Sequence, residues 1–331
     1  MWLKLMSVPA AALPGSRFIA EYLIKVPQRG LKCWANTAIA EIRRVAMANF
    51  LFWNLSRRRL ELVIQRLAVR HHLDILMLGE CEIPEESILN TLNANAKTPY
   101  RRIPALASRG LDLYSRFDQR CFGPVLKEAD HYLIRTLTPP GGIEIVLAMA
   151  HLASPLYKDL RARHSRLIGF AADIRAAEQA RGNHRTVVVG DLDMNPYDDG
   201  LLDVRGLSAL GDRRTVQRKD PRRFGTTKVE EFRLFYNPMW SHMSDAVQPT
   251  GTYYYDKSNH EVDPFWNIFD QVLLRPALLD RFQNRNLKIL TTDGMVSFIW
   301  GDGRPNGDVY SDHLPIWFQL DLRRRKPHAS H

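Results

Sequence analysis

Residues Thr186–Tyr197, T-V-V-V-G-D-L-D-M-N-P-Y, decide how the rest of the chain is interpreted. The uncharged, β-branched run at its start predicts a strand that is buried on both faces and ends at Gly190. Three polar side chains then follow within five residues: Asp191, Asp193 and Asn195. Carboxylates at the end of a rigid strand are well placed to hold a hard cation or to orient a water molecule. An ordinary Asx-rich turn explains the same stretch equally well. Other stretches of the sequence have to show whether it is a functional site.

The net charge of +10 lies mostly at the two ends of the chain. Residues 1–46 carry seven Lys or Arg against two Glu, which gives +5, and the four basic residues 323–326 add +4. Only +1 is left for residues 47–322. Basic chain ends are weak evidence for a specific partner, so the total charge alone does not indicate nucleic-acid binding.

The cysteines and the apolar runs indicate the class of protein. Cys33, Cys81 and Cys121 stand far apart without a C-x-x-C pair, so the sequence indicates neither a zinc site nor a disulfide framework. No uncharged run approaches the length of a membrane span, and the apolar stretch near the N-terminus is too short and broken for a good signal peptide. We therefore predict a cytoplasmic protein without a membrane span. No protein partner can be inferred from the sequence.

Three parts are expected along the chain. Met47 is followed at once by A-N-F-L-F-W, which predicts the first core strand of a domain. We expect a poorly ordered or over-extended N-terminal segment at 1–46, one folded domain at 47–322 and a basic tail at 323–331. Our hypothesis is that Met47 is the natural start of the protein. The mass of the native protein tests it.

The domain alternates apolar runs with amphipathic stretches, which is typical of an α/β protein. Strands are predicted at 50–53, 73–78, 111–115, 131–137, 143–150, 268–274 and 315–322. Helices are predicted at 57–70, from 85 toward 93, and at 159–181. Residues 200–265 are less regular, and we find no internal repeat or low-complexity linker. One α/β domain is the expected architecture.

Polar residues recur at or beside the ends of these apolar strands. They are Asn54, Glu80, His151, Asp191, Asp193, Asp270, Asp312 and His313. Each by itself is usually a turn residue. Together, carboxylates with an Asn can bind a hard divalent ion, and a His with a carboxylate partner can serve as acid, base or anion stabiliser near neutral pH.

Six motifs in order resemble the endonuclease/exonuclease/phosphatase superfamily. They are W-N-L (53–55), L-G-E (78–80), A-H-L (150–152), G-D-L-D-M-N-P (190–196), F-D-Q-V-L (269–273) and S-D-H-L-P (311–315). The resemblance covers nearly all of 48–320 and none of 1–46. The stretches F-Y-N-P-M-W and G-T-Y-Y-Y further resemble a group of bacterial members without an assigned substrate.

The resemblance implies a fold and a metal site. The fold is a four-layer α/β sandwich, in which two packed mixed β-sheets are flanked by helices. Carried over to this sequence, Glu80 would be the main ligand of Mg²⁺ or Mn²⁺, with Asn54 and Asp312 beside it. A hard divalent ion with oxygen ligands suits phosphoester hydrolysis, since the reaction builds negative charge on phosphate oxygens.

The resemblance also implies catalytic roles. Asp191 would orient or deprotonate the attacking water. His313, oriented by Asp270, would stabilise the charge that develops on the phosphate, and His151 would contact the phosphate. Phosphodiester hydrolysis requires an aligned nucleophile and neutralisation of the developing negative charge, and these residues would provide both.

Asp193 is the one departure, because the family usually has Asn in this position of the motif. An Asn amide donates a hydrogen bond to the phosphate, whereas an ionised Asp only accepts and would repel it. Three explanations keep the activity: Asn195 takes over, Asp193 stays protonated beside Asp191, or Asp193 binds a second metal ion. A fourth explanation is that the activity is lost.

The candidate residues for substrate recognition lie in a stretch that is rich in basic and aromatic side chains. Six Lys or Arg lie between 213 and 223 and are followed by several aromatic residues. Basic side chains bind phosphates and aromatic faces stack bases, so the predicted substrate-binding residues are Arg222, Arg223, Tyr236 and Trp240. The alternative is a solvated charged loop over an aromatic core patch. Tyr253, Tyr254 and Tyr255 form a second aromatic group.

The sequence therefore predicts a metal-dependent phosphodiesterase, with a nuclease that takes nucleic acid as its substrate as the leading assignment. The first alternative is a phosphatase or phosphodiesterase that acts on a small phosphoester or a lipid headgroup. The second is an inactive module that binds nucleic acid or a partner protein and has kept the fold.

Overall fold

The computed structural model describes residues 47–105, 110–152, 160–225, 230–257 and 264–324. The segment 1–46 and residues 325–331 of the tail lie outside the described residues, and so does Asp159, the predicted first residue of the third helix. Two large sheets organise the described part of the chain.

The first sheet has six strands, with the most apolar ones at its centre. Their order is β16 (Leu287–Ile289), β17 (Ile316–Asp321), β1 (Met47–Asn54), β2 (Ile75–Gly79), β4 (Leu111–Ser115) and β3 (Arg101–Arg102). β1 runs parallel to β2 and antiparallel to β17. Each of the five residues of β2 is buried, as expected for an uncharged run in a central strand.

The second sheet has seven strands and is also mixed. Their order is β5 (Phe122–Ala129), β6 (Tyr132–Leu137), β7 (Ile145–His151), β8 (Thr186–Asp191), β15 (Asp270–Leu274), β12 (Phe235–Tyr236) and β9 (Ala209–Leu210). β7 and β8 are parallel, and β15 is antiparallel to β8. The β5 strand was not predicted, because only one of its eight residues is buried, it contains Gly123-Pro124 and it is irregularly paired with β6.

The helices cover the outer faces of the sheets. They are α1 (Glu61–Arg70), α2 (Glu85–Asn93), α3 (Leu160–Arg181), α4 (Asp199–Leu202) and α5 (Arg213–Lys219). Short 3₁₀ helices span Gln119–Cys121, Pro238–His242, Pro276–Arg281 and Asn284–Asn286. Two small hairpins pair β10 (Arg222–Phe224) with β11 (Glu230–Phe232) and β13 (Tyr253–Tyr254) with β14 (Trp266–Asn267). None of the described helices combines the length and the apolar content that crossing a membrane requires.

Alternate residues of β8 show how the layers pack. Val187 and Val189 lie in the core between the two sheets, together with Phe50 of β1. Val188 points the other way, into a second core that includes Phe170 of α3. Successive side chains of a strand face opposite sides of its sheet, so β8 is buried on both faces, as predicted. The result is the predicted four-layer α/β sandwich, and the fold class is confirmed.

The first helix begins later than predicted. The pattern indicated a start at Arg57, but α1 starts at Glu61. Ser56 and Arg57 have positive φ angles of 47° and 61°, and the Arg57 amide donates to the Glu80 carbonyl at 3.1 Å. These residues form a turn that binds the end of β1 to the end of β2, so they are unavailable to the helix.

Candidate active site

A row of polar residues crosses three neighbouring strands of the second sheet. Asp191 at the end of β8 pairs with His151 of the parallel strand β7 and with Asp270 of the antiparallel strand β15. Residues paired in this way lie side by side on one edge of the sheet. The register therefore collects three candidate residues from positions 151, 191 and 270 of the chain.

Gly190 makes this edge possible. Its φ is +146°, and a Cβ atom built on it would lie 1.9 Å from the carbonyl oxygen of Ala150. A side chain does not fit at that distance, so only glycine allows β7 and β8 to approach so closely at this point. The close approach sets the positions of His151 and Asp191, which follow directly.

Asn54 connects the two sheets at the same edge. Its Nδ2 donates to Asp191 Oδ2 at 2.9 Å and lies 3.4 Å from Glu80 Oε1, while its Oδ1 accepts from the Ser56 amide at 2.9 Å. The amide is therefore held in one orientation between two carboxylates. Its N–H groups offset part of the repulsion between them.

Glu80 and His151 form a polar pair next to this amide. His151 Nε2 lies 3.3 Å from Glu80 Oε1, and this hydrogen bond, opposed by burial, lowers the pKa of Glu80 to about 2. Burial disfavours the charged imidazole of His151, but the hydrogen bond to Glu80 and the charge of Asp191 outweigh burial and raise its pKa. Glu80 also has a positive φ of 44°, which is uncommon for a residue other than glycine and frequent at functional sites.

Asp270 and His313 form the most buried charged pair at the edge. His313 Nδ1 lies 2.8 Å from Asp270 Oδ2, and Asp270 is fully buried. Burial alone would lower the pKa of His313, but the charge of Asp270 and its hydrogen bond overcome burial and raise that pKa to about 10. Because Nδ1 faces Asp270, Nε2 is the nitrogen left to meet a substrate.

The backbone around His313 is anchored to the first sheet. Trp53 Nε1 donates to the His313 carbonyl at 2.8 Å, and the Ser311 hydroxyl donates to the Asn54 carbonyl at 2.6 Å. The same hydroxyl accepts from the His313 amide at 3.0 Å. Hydrogen bonds from neighbouring residues thus fix the imidazole against both sheets.

Two groups of side chains suit a metal ion. Asp191, Asp270 and His313 bring ligand atoms within 4.8 Å of one another, although the closest of these atoms already share a hydrogen bond. The second group is the predicted one, Glu80, Asn54 and Asp312, whose oxygen atoms are of the kind that Mg²⁺ or Mn²⁺ prefers. It stays a prediction, because the described contacts join Asn54 to Glu80 and do not include Asp312. Asp312 Oδ1 is buried and has no hydrogen-bond partner among the described residues.

Asp193 lies beside Asp191 in a conformation that the usual Asn also tolerates. Its φ is +53°, its amide donates to Asp191 Oδ1 at 2.9 Å and its Oδ2 is buried without a hydrogen-bond partner among the described residues. Burial, followed by the charge of Asp191, raises the pKa of Asp193 to about 8. These surroundings favour the protonated form, one of the three explanations that retain activity.

Asn195 is used within the protein. Its Nδ2 donates to Asn267 Oδ1 at 2.7 Å and its Oδ1 accepts from the Ile268 amide at 2.9 Å. The side chain thus ties the loop after β8 to the residues before β15. These contacts do not favour the explanation in which Asn195 replaces the usual Asn as a phosphate ligand.

The four predicted substrate-binding residues are not brought to the catalytic edge by any contact that the structure describes. Tyr236 is 3% exposed and pairs with Leu274, at the end of β15 opposite to Asp270. Arg222 and Arg223 lie exposed in the β10–β11 hairpin, where Arg223 pairs with Glu231 at 3.0 Å. The prediction of these four residues follows from composition alone. Composition does not tell that β12 pairs with the end of β15 that lies away from Asp270.

Trp240 lies in the 3₁₀ helix that follows β12 and packs against Gly211. Its indole Nε1 is buried with no partner among the described residues. It contributes to the packing of the second sheet's edge.

Other side chains at the edge were not assigned to the site from the sequence. Tyr253 lies with its ring centroid 4.7 Å from that of His313 and forms a β-bridge with it. The buried Thr252 hydroxyl accepts from the Asp270 amide at 3.2 Å. Arg163 Nε lies 3.9 Å from Asp193 Oδ2. The tyrosine run 253–255 stands out by its composition, whereas Thr252 and Arg163 belong to no motif.

Comparison with known proteins gives a match in fold. Neither protein-family models nor curated protein sequences match the chain. An endonuclease/exonuclease/phosphatase family protein from Bacteroides thetaiotaomicron is 14% identical, with a TM-score of 0.52, over 86% of this chain and 98% of that one. A protein of the same family from Leptotrichia buccalis C-1013-b is 12% identical, with a TM-score of 0.50, over 82% of this chain and 99% of that one. At these identities the similarity is one of fold.

Proposed function

We propose that this chain, whose fold is that of the endonuclease/exonuclease/phosphatase superfamily, is a divalent-metal-dependent phosphodiester hydrolase that acts on nucleic acid. The observation that carries the proposal is the paired row His151, Asp191 and Asp270, completed by His313 at 2.8 Å from Asp270. The row lies beside the carboxylate of Glu80. A nucleophile-activating carboxylate, a charged imidazole and oxygen ligands for a hard cation are the parts that phosphodiester hydrolysis needs.

Asp191 is the residue that aligns the attacking water. Its two oxygens each accept one hydrogen bond within the protein, from Asn54 and from the Asp193 amide, so the carboxylate is fixed in direction. Lone pairs remain on both oxygens to accept a proton from water. As the water oxygen bonds to phosphorus, that proton passes to Asp191, the P–O ester bond on the opposite side of the phosphorus breaks, and the leaving oxygen takes up a proton from solvent.

His313 stabilises the phosphate during the reaction. Its raised pKa keeps the imidazole charged at neutral pH, and Nε2 donates a hydrogen bond to an oxygen on which negative charge develops. His151 contacts the phosphate from the opposite side of Asp191. Glu80, Asn54 and Asp312 would hold Mg²⁺ or Mn²⁺, which when bound supplies further neutralisation of phosphate charge.

Asp193 acts in its protonated form. A protonated carboxyl donates one hydrogen bond, which replaces the donor that an Asn amide offers at this position. The raised pKa and the buried, unpartnered Oδ2 support this assignment. The Asp therefore need not abolish activity at neutral pH.

Aromatic side chains support nucleic acid as the substrate. The Tyr253 ring, beside His313, also stacks on Phe269 at 5.4 Å and on Tyr255 at 6.4 Å between centroids. Phe265 stacks on Tyr254 and is 50% exposed. Partly exposed aromatic rings next to a phosphate site suit stacking of bases from a single strand.

A second candidate is hydrolysis of a small phosphoester. It is favoured by the charges near the aromatic residues, because Arg304, which lies over Tyr254, is already paired with Asp256 and Asp302. A paired arginine offers little to a polymer backbone. The two candidates differ in how many phosphates the protein contacts.

Hydrolysis assays test the proposal. Single- and double-stranded DNA, RNA and bis(p-nitrophenyl) phosphate are offered to the wild type and to His313→Ala with Mg²⁺, Mn²⁺ or a chelator. We expect cleavage of a polymer that requires the metal and falls at least about a hundredfold in the variant. Cleavage of the small ester alone would favour the second candidate. A folded protein that binds nucleic acid without cleaving any substrate would contradict both and favour a binding module.

A further inference from the structure

Arg163 Nε and Asp193 Oδ2 face each other as two buried polar atoms that have no hydrogen-bond partner in the described part of the chain. Arg163 lies near the start of α3, its side chain is 13% exposed, and its Nε is buried with no acceptor among the described residues. Asp193 Oδ2, in a side chain that is 8% exposed, has no donor among them either. The two atoms are 3.9 Å apart, about 1 Å longer than a charge-assisted hydrogen bond.

An unsatisfied buried pair of this kind indicates a missing third group. A guanidinium and a carboxyl that were built to bind only each other would normally close to a two-pronged contact. Here the gap lies next to the carboxylate of Asp191, to which the Asp193 amide is bonded at 2.9 Å. An oxygen atom bound beside Arg163 and Asp193 would accept from the guanidinium, whose side chain is 13% exposed, and would lie next to Asp191.

We propose that the Arg163 guanidinium binds a non-bridging oxygen of the substrate's phosphate group, next to Asp193. The ligand class is the phosphate anion, as a diester, a monoester or inorganic phosphate. The inference rests on the proposed function, since it places the phosphate at the catalytic edge. Arg163 thereby supplies a fixed positive charge that does not depend on the metal.

Binding of inorganic phosphate to the full chain, measured by calorimetry in the presence of chelator, tests the inference without requiring turnover. We expect Arg163→Gln to weaken phosphate binding about tenfold and Arg163→Lys to restore part of it, because a charge is kept but the planar donor is lost. Arg181→Gln is the matched control. It removes an arginine from the other end of α3, where Arg181 pairs with Glu144.

A double-mutant cycle separates phosphate binding from a purely internal role. If Arg163 serves only as the counter-ion of Asp193, the effect of Arg163→Gln disappears in an Asp193→Asn background. If it binds phosphate, the loss remains about as large in that background. Unchanged phosphate affinity in folded Arg163→Gln, or a loss that vanishes with Asp193→Asn, would overturn the inference.

The outcome is independent of whether the chain hydrolyses anything. Arg163-dependent phosphate binding in a protein that cleaves no substrate would keep this inference and reject the proposed function. Metal-dependent hydrolysis whose KM and phosphate affinity are unaffected by Arg163→Gln would keep the proposed function and reject this inference. Melting temperatures of all variants show that each is folded, and Arg163→Lys keeps the test available if the Gln variant is not.

Discussion

Asp193 differs from a solvent-exposed aspartate because its carboxyl is buried two residues after Asp191. Its backbone amide binds Asp191 Oδ1, so the same residue that stabilises one carboxylate places a second carboxyl close to it. Like charges at short distance favour protonation of one of them. In the proposed mechanism, the protonation state of Asp193 decides whether the phosphate meets a hydrogen-bond donor or a repelling charge.

Activity should therefore fall as the pH rises through about 8. The pKa of Asp193 is raised to about 8, so the donor form is present below that pH and is lost above it. Asp193→Asn should remove this alkaline fall and change kcat/KM at pH 7 by less than about tenfold. Profiles of kcat/KM from pH 6 to pH 10 check this. A much faster variant at pH 7 would mean that the wild-type Asp193 is ionised and impairs the site.

The charge on His313 should depend on Asp270. Removing the carboxylate by Asp270→Asn leaves burial as the main influence, so the pKa of His313 should fall from about 10 to its ordinary range or below. We expect kcat to fall by about 10²–10⁴ with a smaller change in KM. Titration of the imidazole by NMR measures the pKa directly. A His313 pKa that stays near 10 would show that another group holds the proton.

At the scale of the element, the ends of strands set the geometry of the site. β7 and β8 end side by side because Gly190 leaves no side chain between them, and their last residues are His151 and Asp191. A strand end in a central sheet is rigid, which suits residues that must be held in place. The opposite end of the same sheet is tied by a different interaction, a buried ion pair.

Gly190→Ala should damage both stability and the site. The added Cβ would lie 1.9 Å from the Ala150 carbonyl oxygen at a φ of +146°, so the strands must separate. We expect a loss of at least about 3 kcal/mol in the free energy of unfolding. Gly169→Ala is the control, because a Cβ there, within α3, meets no atom within 4 Å and should stabilise the helix by about 0.5–1 kcal/mol. Urea unfolding measures both.

The ion pair at the far end of the sheet should matter for stability and not for chemistry. Glu178 and Arg275 are each 2% exposed and lie 2.7 Å apart, and Arg275 also lies over the Phe235 ring. Glu178→Gln leaves the arginine charge uncompensated and should cost about 3–5 kcal/mol. Arg59→Gln, which removes a largely exposed arginine that pairs with Glu61, should cost less than about 1 kcal/mol. Activity of Glu178→Gln well below its melting temperature should match the wild type.

At the scale of the whole molecule, the distribution of charge indicates how a nucleic-acid substrate would be bound. The domain at 47–322 carries a net charge of only +1, and the arginine-rich stretch 213–223 lies along α5 and β10 rather than at the row of His151, Asp191 and Asp270. If the proposed nuclease activity is correct, this charge distribution predicts that the chain binds its substrate through a few phosphates near the site and through stacked bases. Affinity then depends less on long-range attraction than in a strongly basic nuclease.

Salt dependence measures how many phosphates are bound. If the chain contacts about two phosphates of single-stranded DNA, KM should rise several-fold, up to about tenfold, between 50 and 200 mM salt. KM for bis(p-nitrophenyl) phosphate should change little over the same range and serves as the control. Equal, weak salt effects on both substrates would argue for the small phosphoester.

Much of the fold could be predicted because its signals are local. The buried run at β8, the apolar strand β2 and the limits of β4 follow from short-range patterns of apolar and β-branched residues. The start of α1 was wrong because helical spacing does not contain the hydrogen bond from the Arg57 amide to Glu80. The exposed edge strand β5 was missed for a similar reason, since its stability comes from pairing with β6.

The sequence by itself determined that apolar strands form and that polar residues follow them, because apolar runs and strand ends are properties of neighbouring residues. Only the tertiary structure decided which of those residues meet. Asn54 reaches Asp191 across 137 positions of chain, and Arg163 meets Asp193 although no motif contains both. Such contacts depend on strand order and direction. For the same reason the arginines at 222 and 223, prominent in composition, lie in a separate hairpin, while Tyr253 lies against His313.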